Sequence, residues 1–319
     1  MTTATVRSDR TTSTAPAQRL RATMAAVRVA FTWFGIRKTL TASQKAQAAE
    51  TFGADEDCLA ASKKLLDTRA EAYKAVTSIR NRIRALWWGM SLPYPDPGVR
   101  LIRQDQVDRF NDEMNRMRQE LAEAVGWLDA QLPALKQAAR QRLGSLYDLA
   151  DYPSSLVGLF AVDWDFPSVE PPSYLMQLNP DLYEQERRRM VARFEEAVRM
   201  AEEAFTAEFQ KLVSHLVERL TGQEDGRPKV FRDSAVGNLR EFFERFRMLN
   251  VRSSADLDGL VETAQRALKG ASPQGLRDDG SLRTKIASQL AAVQASLDGL
   301  LVDQPRRRVL RPARTEAGP

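Results

Sequence analysis

The residues from Asn179 to Gly222, NPDLYEQERRRMVARFEEAVRMAEEAFTAEFQKLVSHLVERLTG, decide the fold that we expect for this chain. Asn179 is a favoured N-cap residue, and Pro180 suits the first helical position, where a missing N–H costs nothing. At the other end, Arg219 in the last turn and Gly222 beyond it are typical helix stop signals. The stretch therefore predicts one uninterrupted helix.

The apolar residues of this stretch follow a helical period of about 3.7 residues. At a rise of 1.5 Å per residue the helix is about 60 Å long, so we expect an elongated molecule. An apolar stripe of this length requires other helices to bury it, and we expect an antiparallel bundle. The stripe consists of Tyr183, Met190, Phe194, Val198, Ala201, Phe205, Phe209, Leu212, Leu216 and Leu220.

Two further long helices are predicted before it. The first covers residues 54–88 and ends at the proline-rich stretch SLPYPDPG, residues 91–98. The second begins at Asp105 as N-cap and ends near Leu143, with a kink or short break expected near Pro133. Three shorter helices, at residues 233–249, 254–268 and 281–301, are predicted after Gly222, and the glycines between the last two indicate a loop.

Two stretches alternate apolar and polar residues, which is typical of strands. They cover residues 27–34 and 158–166, and because an isolated strand is unstable, each needs the other or the sheet edge of a partner. The segment 145–178, rich in proline and aromatic residues, predicts an ordered covering packed on the helices. We therefore expect a mainly α protein: an elongated bundle of three long helices, a C-terminal cluster of shorter helices and one small two-stranded β element.

Composition divides the chain into four parts: a disordered basic tail (1–20), the long-helix bundle with its strands and aromatic loop (21–222), a C-terminal helical cluster (223–303) and a disordered arginine-rich tail (304–319). The net charge of +5 comes from the ends. Residues 1–50 contain eight basic and two acidic residues, and residues 304–319 contain five basic residues and one acidic residue. The remaining residues, 51–303, therefore have a net charge of −5. A basic balance made by tails is weak evidence for a DNA-binding face on the folded part.

The single cysteine, Cys58, excludes an intramolecular disulfide framework and suits a reducing cytoplasm. No apolar run approaches the 18 residues or so that cross a bilayer. The best candidate, residues 25–36, is short, contains Arg28 and lies too far from Met1 for a secretory signal. We therefore predict a cytoplasmic protein without membrane contact.

The sequence contains no catalytic constellation. His215 is the only histidine, which excludes paired-histidine metal sites, and there is no G-x-S-x-G motif to supply a nucleophile. Gly270 and Gly275 have P-loop spacing, but the Lys-Ser/Thr pair that holds phosphates is missing. We expect no catalytic residue and no cofactor.

Three carboxylates form the best candidate for a divalent metal site. Asp163 and Asp165 flank Trp164 on a predicted strand, where residues two apart share a face, and Glu170 follows nearby. Carboxylate oxygens of this kind bind Mg²⁺. The alternative interpretation is that the pair forms the solvent-facing side of a half-buried strand.

Aromatic and basic residues supply the candidate contacts with partners. Rigid aromatic side chains anchor interfaces, so Trp87, Trp88 and Tyr94 form either a docking loop or a plug at the end of a helix pair, and Trp164 is a fourth candidate. The arginine-rich tail either contacts phosphates or is solvated. Its candidate residues are Arg306, Arg307, Arg308 and Arg311.

Parts of the chain resemble a family of uncharacterised bacterial and phage proteins that are sometimes encoded near MoxR-type AAA+ ATPases and von Willebrand A-domain proteins. The resemblance implies a protein partner of that kind, with the chemistry performed by the ATPase, and it assigns no functional residue. It rests on DYPSSLVGLFAVDWDFPSVEPPSYLMQLNP (151–180), FRDSAVGNLREFFERFRMLNVRS (231–253) and WFGIRK (33–38).

The leading hypothesis is a non-enzymatic helical scaffold or adaptor that mediates protein–protein interaction, with self-association left open. One alternative is a nucleic-acid-associated protein whose basic ends bind DNA or RNA. The other is a divalent-metal enzyme that uses Asp163 and Asp165, together with Glu170.

Overall fold

A computed structural model describes residues 15–224, 227–228 and 233–302. The chain divides into two compact units, one formed by Arg21–Arg193 and the other by the described residues up to Leu20 together with those from Phe194 onward. The boundary lies within the long helix, whereas the composition changes at Gly222. Within the described residues, every helix is too short or too polar to span a bilayer.

The protein is mainly helical and also contains short antiparallel strands. In the first part of the chain the elements are α1 (Ala15–Thr23), β1 (Met24–Trp33), β2 (Arg37–Thr39), α2 (Ala42–Phe52), β3 (Ser62–Lys64), α3 (Glu71–Gly89), β4 (Ser91–Pro93), β5 (Val99–Arg103), α4 (Val107–Ala130), α5 (Leu132–Leu143), β6 (Phe160–Asp165) and α6 (Leu175–Leu178). They are followed by α7 (Pro180–Thr221), β7 (Gln223–Glu224), β8 (Arg227–Pro228), α8 (Ser234–Leu249), α9 (Ala255–Ala267), α10 (Pro273–Asp278) and α11 (Gly280–Val302).

The two strands predicted from alternation, observed as β1 and β6, pair with each other in one chain. They run antiparallel, with Arg28 opposite Asp165 and Trp33 opposite Phe160. The predicted two-stranded element is nevertheless too small, because the sheet has four strands in the order β4-β5-β1-β6. β4 forms the start of the proline-rich stretch at 91–98 and β5 directly follows that stretch. At three and five residues, the two strands are too short to show a clear alternation.

One face of this sheet is covered by helices. Val27 and Val29 of β1 and Phe160 and Val162 of β6 belong to a buried apolar cluster. The helices α3, α4 and α5 contribute most of its other members, including Val76, Ile79, Ile83, Phe110, Met114, Leu121, Leu132 and Leu135. The unit Arg21–Arg193 therefore consists mainly of a helical layer packed on a twisted antiparallel sheet.

The long helix predicted over residues 54–88 is wrong in its first half. α2 ends before Gly53, which has a positive φ of 60° that terminates the helix. The backbone then forms β3, which pairs with β2, and Leu65 donates its N–H to the Ile36 carbonyl over 2.8 Å. The Asp67 carboxylate accepts the Arg69 N–H over 3.0 Å, a local turn that competes with helix formation until α3 begins.

The helix predicted over residues 105–143 is divided as expected near Pro133. α4 ends at Ala130 and α5 begins at Leu132, so that Pro133 lies in the first turn of the new helix. The predicted N-cap is wrong, because the Asp105 carboxylate accepts hydrogen bonds from the Arg103 guanidinium, with a Nε–Oδ1 distance of 2.9 Å. α4 begins two residues later.

The helix predicted from the opening stretch is confirmed as α7. Its N-terminus is capped by Asn179, whose Oδ1 accepts the Leu182 N–H over 3.0 Å. The three shorter helices predicted after Gly222 are confirmed as α8, α9 and α11. The predicted loop between the last two contains α10, which Ser272 caps by accepting the Gly275 N–H over 2.9 Å.

The predicted bundle of three long helices is not observed, since α7 alone has the predicted length. From Phe194 onward the stripe of α7 packs against the C-terminal helices: Phe209 stacks on Phe242 of α8 at a centroid distance of 5.1 Å. Gln210 donates to Asp298 of α11 over 2.5 Å. The apolar stripe of this part of α7 is therefore covered by α8 and α11. The prediction that helices 54–88 and 105–143 cover it is wrong for this part.

Candidate protein-docking surfaces

The predicted docking residues Trp87, Trp88 and Tyr94 differ in exposure. Trp87 and Tyr94 are buried, whereas 55% of Trp88 is exposed. Adjacent helical residues point about 100° apart, so Trp87 faces the core and Trp88 faces solvent. Burial of Tyr94 raises its pKa to about 12. Trp88 is therefore the member of this group whose ring a partner can contact.

Two arginines lie against the exposed Trp88 ring. The Cζ atoms of Arg84 and Arg100 are each 5.8 Å from the ring centroid, within the range of a cation–π interaction. Arg100 is held in place by Ser91, donating its Nε–H to Oγ over 2.7 Å and a Nη2–H to the backbone carbonyl over 2.8 Å. Trp88 is thus an exposed aromatic ring with two positively charged groups beside it.

A third arginine, Arg80, lies on the same side of α3. Its Cζ is 4.5 Å from the centroid of Trp33 and 5.6 Å from that of Phe31, and its buried Nε has no hydrogen-bond partner among the described residues. Residues four apart are neighbours on a helix surface, so Arg80, Arg84 and Trp88 form one row. We call these three residues the α3 arginine–tryptophan surface.

The charges of this row are unneutralised within the described part of the chain. Neither Arg80 nor Arg84 forms an ion pair there, whereas Arg82, two residues from each, pairs with Glu120 of α4 at 2.5 Å. Between Thr77 and Trp88 the helix contains three arginines and no acidic residue. Trp88 is predicted from the sequence and the two arginines are not, although their four-residue spacing is visible there.

The fourth predicted docking residue, Trp164, belongs to the sheet. It belongs to β6, and Trp88 precedes β4, while β4 and β6 form opposite edges of the sheet. Its indole Nε1–H donates to Asn111 Oδ1 over 2.7 Å, and the Arg118 Cζ lies 5.0 Å from the ring centroid. These contacts from α4 hold Trp164 in a half-buried position.

A second candidate surface is formed by apolar residues before and at the start of α7. Of the ten exposed large apolar residues in the described chain, five lie between residues 166 and 182, and Leu178 is 77% exposed. The packed covering expected over 145–178 is observed only in part. Tyr152 and Leu156 are buried, whereas most of the large apolar residues between Phe166 and Leu178 are exposed. We call residues 166–182 the apolar segment; its exposed members are Phe166, Tyr174, Met176, Leu178 and Leu182.

Two of the three carboxylates proposed for a metal form ion pairs with arginines. Asp165 pairs with Arg28 across the β1–β6 ladder at 2.6 Å, which lowers the pKa of the carboxyl. Glu170 accepts two hydrogen bonds from the Arg21 guanidinium, at 2.7 and 2.8 Å. In the residues that the structure describes, no three potential metal-binding side chains converge. Asp163 is exposed on the strand.

The remaining candidates lie on the surface or outside the described residues. His215 is exposed on α7, and Cys58 is an exposed free thiol. The proposed phosphate contacts Arg306, Arg307, Arg308 and Arg311, like residues 1–14, lie outside the described part of the chain; residues 15–20 of the predicted N-terminal tail belong to α1. Comparison with protein-family models, curated proteins and solved structures found no match for this chain.

Proposed function

We propose that this protein is a non-enzymatic adaptor that binds a protein partner through the apolar segment. The observation that carries the proposal is the concentration of exposed large apolar side chains in residues 166–182. Contiguous exposed apolar patches of soluble proteins are typical of interaction sites. Because the sequence offers no catalytic motif, the proposal assigns any chemistry to the partner.

The side chains of this segment suit an interface. Met176 and Leu178 both belong to the short helix α6, and both are more than half exposed. Burying each of these side chains in a complex would contribute about 1.5–3 kcal/mol. Tyr174, directly before α6, adds an exposed aromatic ring of the kind that is enriched in binding hot spots.

The first partner to test is a MoxR-type AAA+ ATPase, followed by a von Willebrand A-domain protein. Both follow from the family resemblance of residues 151–180, and this stretch includes most of the apolar segment. A partner that performs work on other proteins would explain why this chain supplies contact surfaces and no reactive group.

The test compares two variants of the full chain in binding to the purified ATPase of the same host. The double variant Met176→Asp with Leu178→Asp places two charges in the proposed interface, and we expect it to abolish binding in biolayer interferometry. Phe52→Asp is the matched control, because Phe52 is exposed in the same unit but lies outside the segment. We expect the control to bind like the unmodified protein.

The adaptor function is wrong if two results are obtained together. The first is that neither the ATPase nor the von Willebrand A-domain protein binds. The second is that every host protein that co-purifies with the unmodified chain also co-purifies with the double variant. Circular dichroism of both variants confirms that the substitutions leave the fold intact.

A further inference from the structure

We infer that the α3 arginine–tryptophan surface binds an extended acidic peptide segment of a partner protein. This surface shares no residue with the apolar segment, and its recognition is electrostatic, so the inference does not depend on the apolar segment binding anything. It rests on three features: two arginines without an acidic partner among the described residues, an exposed tryptophan and the spacing between them.

The positive charge of the surface favours an acidic ligand. Arg80 and Arg84 present guanidinium groups that no carboxylate of the described residues neutralises, and Arg100 adds a third positive group beside the Trp88 ring. Guanidinium and carboxylate form charge-assisted, often bidentate hydrogen bonds, which are about twice as strong as neutral ones. Arg80 is also oriented by its contacts with Trp33 and Phe31, which reduces the conformational entropy lost on binding.

The spacing of the row fits an extended chain. Residues four apart on α3 are separated by roughly 6 Å along the helix axis. In an extended peptide, alternate side chains point to one face and repeat at roughly 6.5–7 Å. Two acidic residues separated by one residue can therefore pair with Arg80 and Arg84, and an apolar residue two positions further meets Trp88.

The aromatic rings favour a peptide over single-stranded nucleic acid. Single-stranded nucleic acid binds through successive bases that stack on exposed aromatic rings. Only Trp88 of this group is exposed; Phe31 and Trp33 are half-buried, contact each other edge to face at 6.2 Å and are both contacted by Arg80. Arginine and tryptophan are also the residues most enriched in protein–protein hot spots.

The test measures the binding of a fluorescein-labelled peptide that contains Glu-Gln-Glu-Gln-Leu to the full chain by fluorescence anisotropy. We expect saturable binding that weakens as salt is added. Arg84→Gln and Trp88→Ala should each weaken binding about tenfold. Arg80→Lys keeps the charge but loses the planar group, so it should also weaken binding.

Matched controls distinguish the surface from general charge and aromatic effects. Trp127→Ala removes a tryptophan that is 47% exposed on α4, and Arg116→Gln removes an exposed arginine that is paired with Glu113; neither should change the affinity. A permuted peptide, Glu-Glu-Gln-Gln-Leu, has the same charge without the required spacing and should bind more weakly.

The inference is overturned if the peptide does not bind, if Arg84→Gln and Trp88→Ala bind it as tightly as the unmodified chain, or if an oligothymidylate binds this surface more tightly than the peptide. Because Arg84 and Trp88 are exposed, their substitution is compatible with folding, which melting curves verify. The double variant in the apolar segment should bind the peptide normally, so failure of the adaptor proposal and failure of this inference are distinguishable.

Discussion

Asp151 is a buried carboxylate that lies between two lysines. Its side chain is 1% exposed, and it pairs with Lys63, whose side chain is 5% exposed, at 2.6 Å and with the exposed Lys38. Lys63 also donates to the Leu146 carbonyl over 2.7 Å. The hydrogen bonds from Lys38 and Lys63 lower the pKa of Asp151 below its ordinary value. This residue joins the β2–β3 pair to the segment after α5.

We predict that Asp151→Asn destabilises the protein by about 3 kcal/mol at neutral pH, because it leaves the buried Lys63 ammonium without a counter-charge. Since the pKa of folded Asp151 is lowered, the stabilisation is present at pH values above the unfolded pKa and is lost as the pH falls through the folded pKa. Urea unfolding at several pH values should therefore show the largest difference near neutral pH and a shrinking one below pH about 4. Lys38→Gln, at the exposed end of the pair, should cost at most about 1 kcal/mol. Equal effects of the two substitutions would contradict this account.

Phe209 lies at the contact between two helices, α7 and α8. It is fully buried on α7, stacks on Phe242 and meets Phe243 edge to face, so it joins α7 to α8. We predict that Phe209→Ala lowers the free energy of unfolding by about 3–5 kcal/mol, because the cavity cannot collapse within a packed aromatic cluster. His215→Ala, an exposed position on the same helix, should change it by no more than about 0.5 kcal/mol. Guanidinium unfolding curves measure both values, and a loss below 1 kcal/mol for Phe209→Ala would show that this cluster does not hold the two helices together.

In the described part of the chain, each of the two compact units has a core of its own. One lies between the sheet and α3–α5 in the unit Arg21–Arg193, and the other surrounds the aromatic cluster of α7 and α8 in the unit that continues from Phe194. Multi-domain chains often unfold in more than one step. We predict two calorimetric transitions, of which Asp151→Asn lowers one and Phe209→Ala lowers the other. A single transition that both variants lower equally would contradict the prediction.

The candidate surfaces were predictable only in part. The sequence identifies Trp88 as a candidate but leaves open whether it belongs to a docking loop or to a plug at the end of a helix pair. The row Arg80–Arg84–Trp88 follows from helical spacing once α3 is known. The burial of Trp87 and Tyr94 did not follow, because it depends on how the end of α3 meets β4. The exposure of residues 166–182 was also unpredictable, because their composition resembles that of a segment packed on helices. Which of their apolar side chains are buried depends on the positions of the surrounding elements.

Local signals in the sequence by themselves determined α7, the break at Pro133, the three main C-terminal helices and the alternation of β1 and β6. Each of these depends on a cap, a proline or a period that acts within a few residues. Long-range contacts were needed for the rest: β1 pairs with both β5 and β6, residues 54–70 lie outside the α-helices and include β3, and α8 and α11 pack on the later part of α7. The physical reason is that strand pairing and the burial of an apolar stripe need partners distant in sequence, and an amphipathic period specifies that a face is buried without specifying which residues bury it.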